Sequence, residues 1–223
     1  MIYENNTWTP YFTKDSFGSP RPVCGIYETH VNEDRSIMCF SFRPYYAEAN
    51  KTYSDELVQS SFDREVRTLE LIKNYIWAPE VLEIDYSNKR IFFKWYNKCF
   101  DLLEKEGADL SAISPTWKDQ LEQMVSDLHK EHLYKVSFYP NCFYFDNNGI
   151  LHTYMFYTVS TYEEQPIDIS FYEAMLNEDR LAMIRQLAPS GKLDMALLYE
   201  KAFKQYIEWP DNVLPEIYTR VYG

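Results

Sequence analysis

The chain has 223 residues, of which 46% are hydrophobic and 25% charged, and its formal net charge is −12. This composition is typical of a globular protein long enough to bury a substantial core, and it excludes a disordered chain. The acidic balance argues against direct binding to nucleic acid, because the phosphate backbone would repel the protein.

The sequence lacks the usual signals for a membrane or for secretion. No apolar run approaches the length of about 18 residues that a membrane helix needs, and the first ten residues do not have the pattern of a signal peptide. The four cysteines are scattered, so we expect free thiols in a reducing compartment rather than a zinc site. We therefore predict a cytoplasmic protein without membrane contact. The high tyrosine and asparagine content is typical of an AT-rich genome, such as a viral one.

The first part of the chain, residues 1–97, predicts a β-rich lobe with one inserted helix. Runs of aromatic and β-branched residues predict an edge strand and two antiparallel hairpins. The predicted strands span residues 8–12, 23–31, 36–42, 80–86 and 90–96.

A helix is predicted over residues 54–76, between the two hairpins, with Ser54 as its N-cap. Its apolar residues fall on one face, and Glu65 lies near the centre of that face, between Phe62 and Leu69. A carboxylate there must find a cation, a hydrogen-bond network or a wet cleft. The alternative is an imperfect amphipathic stripe with Glu65 exposed at its edge.

The remainder, residues 98–223, predicts a mainly helical lobe. Ser114 and Pro115 are expected to start a helix with an apolar stripe that includes Trp117 and Leu128. A third hairpin is predicted over residues 142–158, turning at an Asn-Gly pair. Further helices are predicted at residues 100–106 and from about residues 171, 194 and 214.

In this order of elements the chain resembles the protein-kinase superfamily, including its aminoglycoside-phosphotransferase-like branch, over about residues 23–157. Residues 63–69 look like the small-lobe helix whose Glu pairs with a strand lysine, and Arg43 is the cation nearest the corresponding strand. Residues 90–97 look like the fifth strand and the hinge. The resemblance implies an α+β, bilobal kinase-like fold. It also implies a degenerate nucleotide cleft lined by Arg43, Glu65, Lys94, Asn97 and Asn141.

The acidic residues of phosphoryl transfer are missing from the positions that the resemblance gives them. Asn141 fits the metal-binding Asn of the catalytic loop, which places Val136 at the catalytic Asp position. Residues 155–157, Met-Phe-Tyr, stand where Asp-Phe-Gly should follow the third hairpin. Val cannot accept a proton and Met cannot hold magnesium. We therefore assign no catalytic residue, metal or cofactor, and we expect nucleotide binding to be weak or absent.

These observations support one leading hypothesis and two alternatives. The leading hypothesis is a pseudokinase scaffold or regulator that binds a protein partner and whose former nucleotide cleft is filled by aromatic side chains. One alternative is an atypical ATP-dependent phosphotransferase that uses Asp146 or Asp168, although turn and helix-start chemistry explain these residues without catalysis. The other is an acidic regulator of a basic nucleic-acid enzyme.

Overall fold

The structure is a computed structural model, and it describes a large part of the chain. The described residues are 2–11, 13–14, 20–21, 23–24, 26–46, 51–96, 113–135, 142–157, 159–161, 176–185, 196–198, 200–201 and 204. The predicted helix at 100–106 and the predicted starts of the later helices near residues 171, 194 and 214 lie outside these ranges.

The described elements are many short strands and a few helices. The strands are β1 (Trp8–Pro10), β2 (Thr13–Lys14), β3 (Pro20–Arg21), β4 (Val23–Cys24), β5 (Tyr27–Asn32), β6 (Ile37–Phe42), β7 (Tyr45–Tyr46), β8 (Lys51–Thr52), β9 (Val81–Asp85), β10 (Arg90–Lys94), β11 (Leu133–Tyr134), β12 (Phe143–Phe145), β13 (Leu151–Thr153) and β14 (Ser160–Thr161). The helices are α1 (Asp55–Ile72), α2 (Trp117–Lys130) and α3 (Glu178–Arg185), and a 3-10 turn spans Tyr3–Asn5. The predicted α+β class is confirmed.

Within the described residues, an antiparallel six-stranded sheet has the order β1-β5-β6-β10-β9, with β4 also paired to β5. The two predicted hairpins are its centre: Tyr27 pairs with Phe42 across β5 and β6, and Arg90 pairs with Asp85 across β10 and β9. The predicted strand over residues 23–31 is wrong in one respect. Cys24 pairs with Tyr27, so the chain reverses between them and forms two strands instead of one.

Strand alternation gives the sheet two covered faces. Phe40 and Phe42 point to the face on which α1 packs, where Phe42 lies 5.7 Å from Phe62 between ring centroids. Phe92 points to the other face, where the N-terminal residues Tyr3 and Trp8 contact it. The main core therefore lies between the sheet, α1 and the elements that follow.

Helix α1 ends at Ile72 rather than at the predicted residue 76. The N–H of Tyr75 donates to the carbonyl of Ile72, and the N–H of Ala78 donates to that of Tyr75, so two tight turns replace the last helical turn. These turns bury Trp77, whose indole N–H donates to Asp127 of α2 at 3.0 Å.

Helix α2 and the third hairpin lie near their predicted positions. The helix begins at Trp117, with Thr116 as its N-cap, so Pro115 precedes the helix instead of occupying its first turn. Strands β12 and β13 pair Phe143 with Thr153 and form the predicted hairpin. The second strand ends at Thr153, before the predicted residue 158. None of the described helices combines the length and the apolar character that crossing a membrane would require.

Candidate functional site

Glu65 lies on the buried face of α1. The Ser54 hydroxyl caps this helix by accepting the N–H of Leu57 at 3.2 Å. The helical repeat then places Glu65 between the buried Phe62 and Leu69, and its side chain is fully buried at 0% exposure. The predicted inward carboxylate is confirmed, and the alternative of an exposed edge position is wrong.

The Glu65 carboxylate binds the backbone that follows the third hairpin. Its Oε2 accepts the N–H of Phe156 at 2.6 Å and the N–H of Tyr157 at 2.5 Å. The neighbouring Arg64 donates from Nη1 to the carbonyl of Val159 at 2.7 Å. Two neighbouring residues of helix α1 therefore bind the backbone between Phe156 and Val159.

Lys135 also binds the backbone of this segment. This lysine follows β11, and its side chain is fully buried. Its Nζ donates to the carbonyl of Met155 at 3.0 Å and lies 5.3 Å from the ring centroid of Phe156. The Met155–Tyr157 segment thus presents N–H groups to an acid and a carbonyl to a cation.

Burial dominates the protonation of Glu65. It raises the pKa of this carboxyl from 4.5 to about 7, although the charge of Lys135 and the N–H groups of Phe156 and Tyr157 act in the opposite direction. Glu65 Oε1 has no hydrogen-bond partner in the structure as described. Near neutral pH the group is therefore close to its titration midpoint.

Met155 is the residue that the sequence resemblance aligns with a metal-binding aspartate, and this alignment stays a prediction. Its side chain is buried, with Sδ 3.6 Å from Sγ of Cys142. Its φ of 74° is in the left-handed region, which is unusual for a residue with a side chain. The strand pairing has already ended at Thr153, and the two residues after Met155 donate their N–H groups to Glu65.

Arg43, the predicted partner of Glu65, lies elsewhere. Its guanidinium contacts the buried carboxylate of Glu28, and its own side chain is 48% exposed. The cation beside Glu65 is Lys135. Sequence reasoning missed Lys135, and the available signal was a single charge within the run Leu133-Tyr134-Lys135-Val136.

Lys94 lies at the end of β10, where the predicted hinge begins, and it contacts two neighbouring side chains. Its Nζ lies 3.0 Å from Glu80 and 5.4 Å from the ring centroid of Tyr96, and hydrogen bonds to these two side chains raise its pKa. Asn97 and Asn141, like Val136, lie outside the described residues. That these side chains line a nucleotide cleft stays a prediction.

Six buried aromatic residues, which we call the aromatic cluster, fill the space between the sheet and the third hairpin. They are Tyr27, Phe40, Phe93, Trp95, Tyr144 and Tyr154, each at most 4% exposed. Between ring centroids, Phe40 lies 5.1 Å from Tyr154, and Trp95 lies 5.2 Å from Tyr144. Strands of the sheet and strands of the hairpin therefore share one packed aromatic core.

Asp146, one of the two candidate acids of the alternative enzyme hypothesis, is engaged in the hairpin turn. Its Oδ1 accepts the N–H groups of Asn148 and Ile150, each at 2.8 Å, and Oδ2 lies 3.7 Å from Nε2 of His152. Burial alone would raise its pKa, but these N–H groups and His152 together hold it below its ordinary value. Asp168, the other candidate, lies outside the described residues. In the described ranges, no three His, Cys, Asp or Glu side chains lie close enough together to hold a metal ion.

Comparison with known proteins gives matches only among solved structures. No protein-family model matches the chain, and no curated protein matches it. A structure of the bifunctional kinase-methyltransferase WbdD is 14% identical with a TM-score of 0.47, over 97% of this chain and 51% of that one. Monomeric WbdD is 16% identical with a TM-score of 0.49, over 88% of this chain and 48% of that one. WbdD with the kinase inhibitor LY294002 is 15% identical with a TM-score of 0.46, over 86% and 47%. The chain spans about half the length of these solved structures.

Proposed function

We propose that this chain is a non-catalytic, kinase-like scaffold that acts by binding a protein partner. In this proposal the space between an N-terminal β-rich lobe and a C-terminal lobe, divided near residue 97, is structural core. The observation that carries the proposal is the aromatic cluster. Phe40 and Trp95 of the sheet side pack on Tyr154 and Tyr144 of the hairpin side, in the space that this proposal identifies with the former nucleotide cleft.

The chemistry of the Met155–Tyr157 segment supports the same proposal. Phosphoryl transfer depends on metal ions and cations that neutralise phosphate charge. Met155 offers a buried thioether where an aspartate would hold magnesium, and the nearby Lys135 directs its ammonium to a backbone carbonyl. Glu65 binds backbone N–H groups. Both charged groups are thus engaged by backbone atoms of this segment.

A thermal-shift titration with ATP and magnesium tests the absence of nucleotide binding. With about 1 mM ATP, a site with a Kd of about 10 μM would stabilise the protein by about 2.7 kcal/mol. For a chain of this size that corresponds to a rise in Tm of roughly 5–11 °C. We expect a rise below about 1 °C, and a magnesium-dependent rise of several degrees would contradict the proposal.

The rival enzyme hypothesis makes a different prediction for labelled ATP. We expect no label transfer, either to the protein or to added polypeptides. Transfer that is abolished in Asp168→Asn or Asp146→Asn, with folding intact, would favour an atypical phosphotransferase over a scaffold. The hypothesis of an acidic regulator predicts salt-sensitive association with a basic protein that is unaffected by substitutions in the aromatic cluster.

A further inference from the structure

A surface groove lies at the N-terminal end of α1. It has a volume of about 620 Å³, within the range of about 300–1,000 Å³ typical of ligand pockets. The first turns of α1 form one wall, and the turn between β9 and β10 forms the other. The lining residues are Phe42, Pro44, Asp55, Glu56, Val58, Gln59, Ser60, Asp63, Ser87, Asn88 and Lys89.

The accessible apolar surface lies at the edge of the groove. Phe42 and Val58 lie beneath it, but at 2% and 1% exposure they offer almost no accessible surface, whereas the lining residue Pro44 is exposed. Two large apolar side chains stand exposed next to lining residues in the chain: Leu57 is 48% exposed and Tyr86 is 66% exposed. The Tyr86 ring also makes an edge-to-face contact with Phe62 at 6.0 Å. Exposed apolar side chains at the edge of a groove are typical of a protein-binding site.

The rim of the groove is acidic. Asp55 and Glu56 are exposed, and neither has a side-chain partner in the part of the chain that the structure describes. Asp63 accepts a hydrogen bond from Gln59 through Oδ1, which leaves its Oδ2 available. Among the lining residues that the structure describes, the opposing charge is Lys89, and the helix N-terminus adds the equivalent of about half a positive charge. The local balance is thus about −1.5, and the chain as a whole carries −12.

From this groove we infer the chemical class of the partner: a basic polypeptide segment in which an apolar side chain is flanked by lysine or arginine. The apolar side chain packs on Pro44 and beside Tyr86, and the cations contact Asp55, Glu56 and Asp63. This inference rests on the proposed protein-binding function and names the surface and the chemistry of that binding. The chemistry inferred for the groove does not depend on whether the aromatic cluster excludes a nucleotide.

A labelled pentapeptide tests the inference on the full chain. The probe is acetyl-Lys-Leu-Lys-Phe-Lys-amide, its counterpart has glutamate in place of each lysine, and binding is followed by amide chemical shifts of the isotope-labelled protein. We expect the basic peptide, at up to about 1 mM, to shift the amides of residues 55–63 and 87–89. Raising the salt from low to high ionic strength should weaken its binding. The acidic peptide should cause no such shifts.

Two charge-reversal variants on the same helix separate the groove from the overall charge. Asp63→Lys should weaken binding of the basic peptide at least fivefold, because it turns a rim contact into a repulsion. Glu70→Lys changes the net charge equally but lies outside the groove, and it should weaken binding less than twofold. Ser60→Trp, at an exposed lining position, should block the groove without a change in charge.

The inference is overturned if the basic peptide shifts no groove amides, if the acidic peptide binds equally well, or if both charge reversals weaken binding to the same extent. Addition of ATP and magnesium to the same sample keeps the two proposals apart. Nucleotide-induced shifts in β12 and β13 would contradict the filled cleft, whereas the groove result stands or fails on the peptides alone.

Discussion

Glu65 and Lys135 bind one short backbone segment, and the charge of Lys135 partly compensates the buried carboxylate. Removing a carboxylate from water is costly, and two N–H donors with one nearby ammonium offset only part of that cost for Glu65. The raised pKa of Glu65 is the measurable consequence. Its position on α1 therefore makes the attachment of the Met155–Tyr157 segment sensitive to pH near neutrality.

The pH dependence of stability should reveal this group. Because folding raises the pKa of Glu65 from 4.5 to about 7, the folded state retains a proton that the unfolded chain releases in that window. The free energy of unfolding should then fall as the pH rises from 4.5 to 7, with a contribution from Glu65 on the order of 3 kcal/mol, and this contribution should be constant above pH 7. Urea unfolding at a series of pH values measures it.

The matched variant for this measurement is Glu65→Gln, which keeps an oxygen that can accept the N–H of Phe156 but does not titrate. The unfolding free energy of the parent minus that of the variant should fall as the pH rises from 4.5 to 7. Asp85, Asp127 and Asp146 do not confuse the result, because their lowered pKa values confine their effects to more acidic solutions. A pH-independent difference would show that Glu65 is not the buried acid described here.

Lys135→Met should be strongly destabilising. The substitution keeps the volume and the apolar stem of the side chain but leaves the Met155 carbonyl without its donor and Glu65 without its nearby charge. Breaking a buried charge pair in this way typically costs about 3–5 kcal/mol. The loss should be larger at pH 8 than at pH 5, where Glu65 is protonated. Lys130→Met, which removes a largely exposed contact with Asp127, should cost no more than about 1 kcal/mol.

At the scale of elements, helix α1 shows what sequence periodicity can supply. The N-cap follows from Ser54 standing before an acidic first turn, the inward direction of Glu65 follows from the spacing of Phe62 and Leu69, and both predictions are confirmed. The helix end was misplaced because the turns after Ile72 depend on burying Trp77 against Asp127. That contact joins residues 50 positions apart, and no local pattern encodes it.

The partner of Glu65 could not be found in the same way. Arg43 is the predicted partner because it lies near the predicted lysine strand in the sequence, but tertiary packing places it on Glu28. Lys135 belongs to a short segment without periodicity, and its role depends on the left-handed conformation of Met155, which presents the carbonyl to it. Sequence patterns therefore identify which charge is buried more readily than which charge compensates it.

The third hairpin provides a test of whether Asp146 has a structural role. Asp146→Ala removes the acceptor for the N–H groups of Asn148 and Ile150, and we expect a loss of about 1–3 kcal/mol in unfolding free energy. Asp146→Asn keeps an acceptor oxygen and should cost less than the alanine variant. Equal losses in both variants would instead indicate that the negative charge near His152 matters more than the turn.

At the scale of the whole molecule, the contacts between the sheet and the later elements decide whether the two predicted lobes can unfold separately. Separation would expose parts of Phe40, Trp95, Tyr144 and Tyr154, which pack on one another across the boundary. If each ring exposed half of its buried area, the cost would be roughly 2–3 kcal/mol per ring, or about 8–12 kcal/mol for all of them. This is comparable with the total stability of a typical domain, about 5–15 kcal/mol.

The sheet and the third hairpin should therefore unfold in one cooperative transition. Amide hydrogen exchange in increasing urea should give the same opening free energy and the same urea dependence for β6 and β12. Tyr154→Ala should lower both values together by about 3–5 kcal/mol, since it empties part of the shared core. Tyr86→Ala, at a position 66% exposed, should lower them by much less. Two distinct opening free energies, with only the hairpin affected by Tyr154→Ala, would mean that the lobes are separable and that the aromatic cluster can open to admit a ligand.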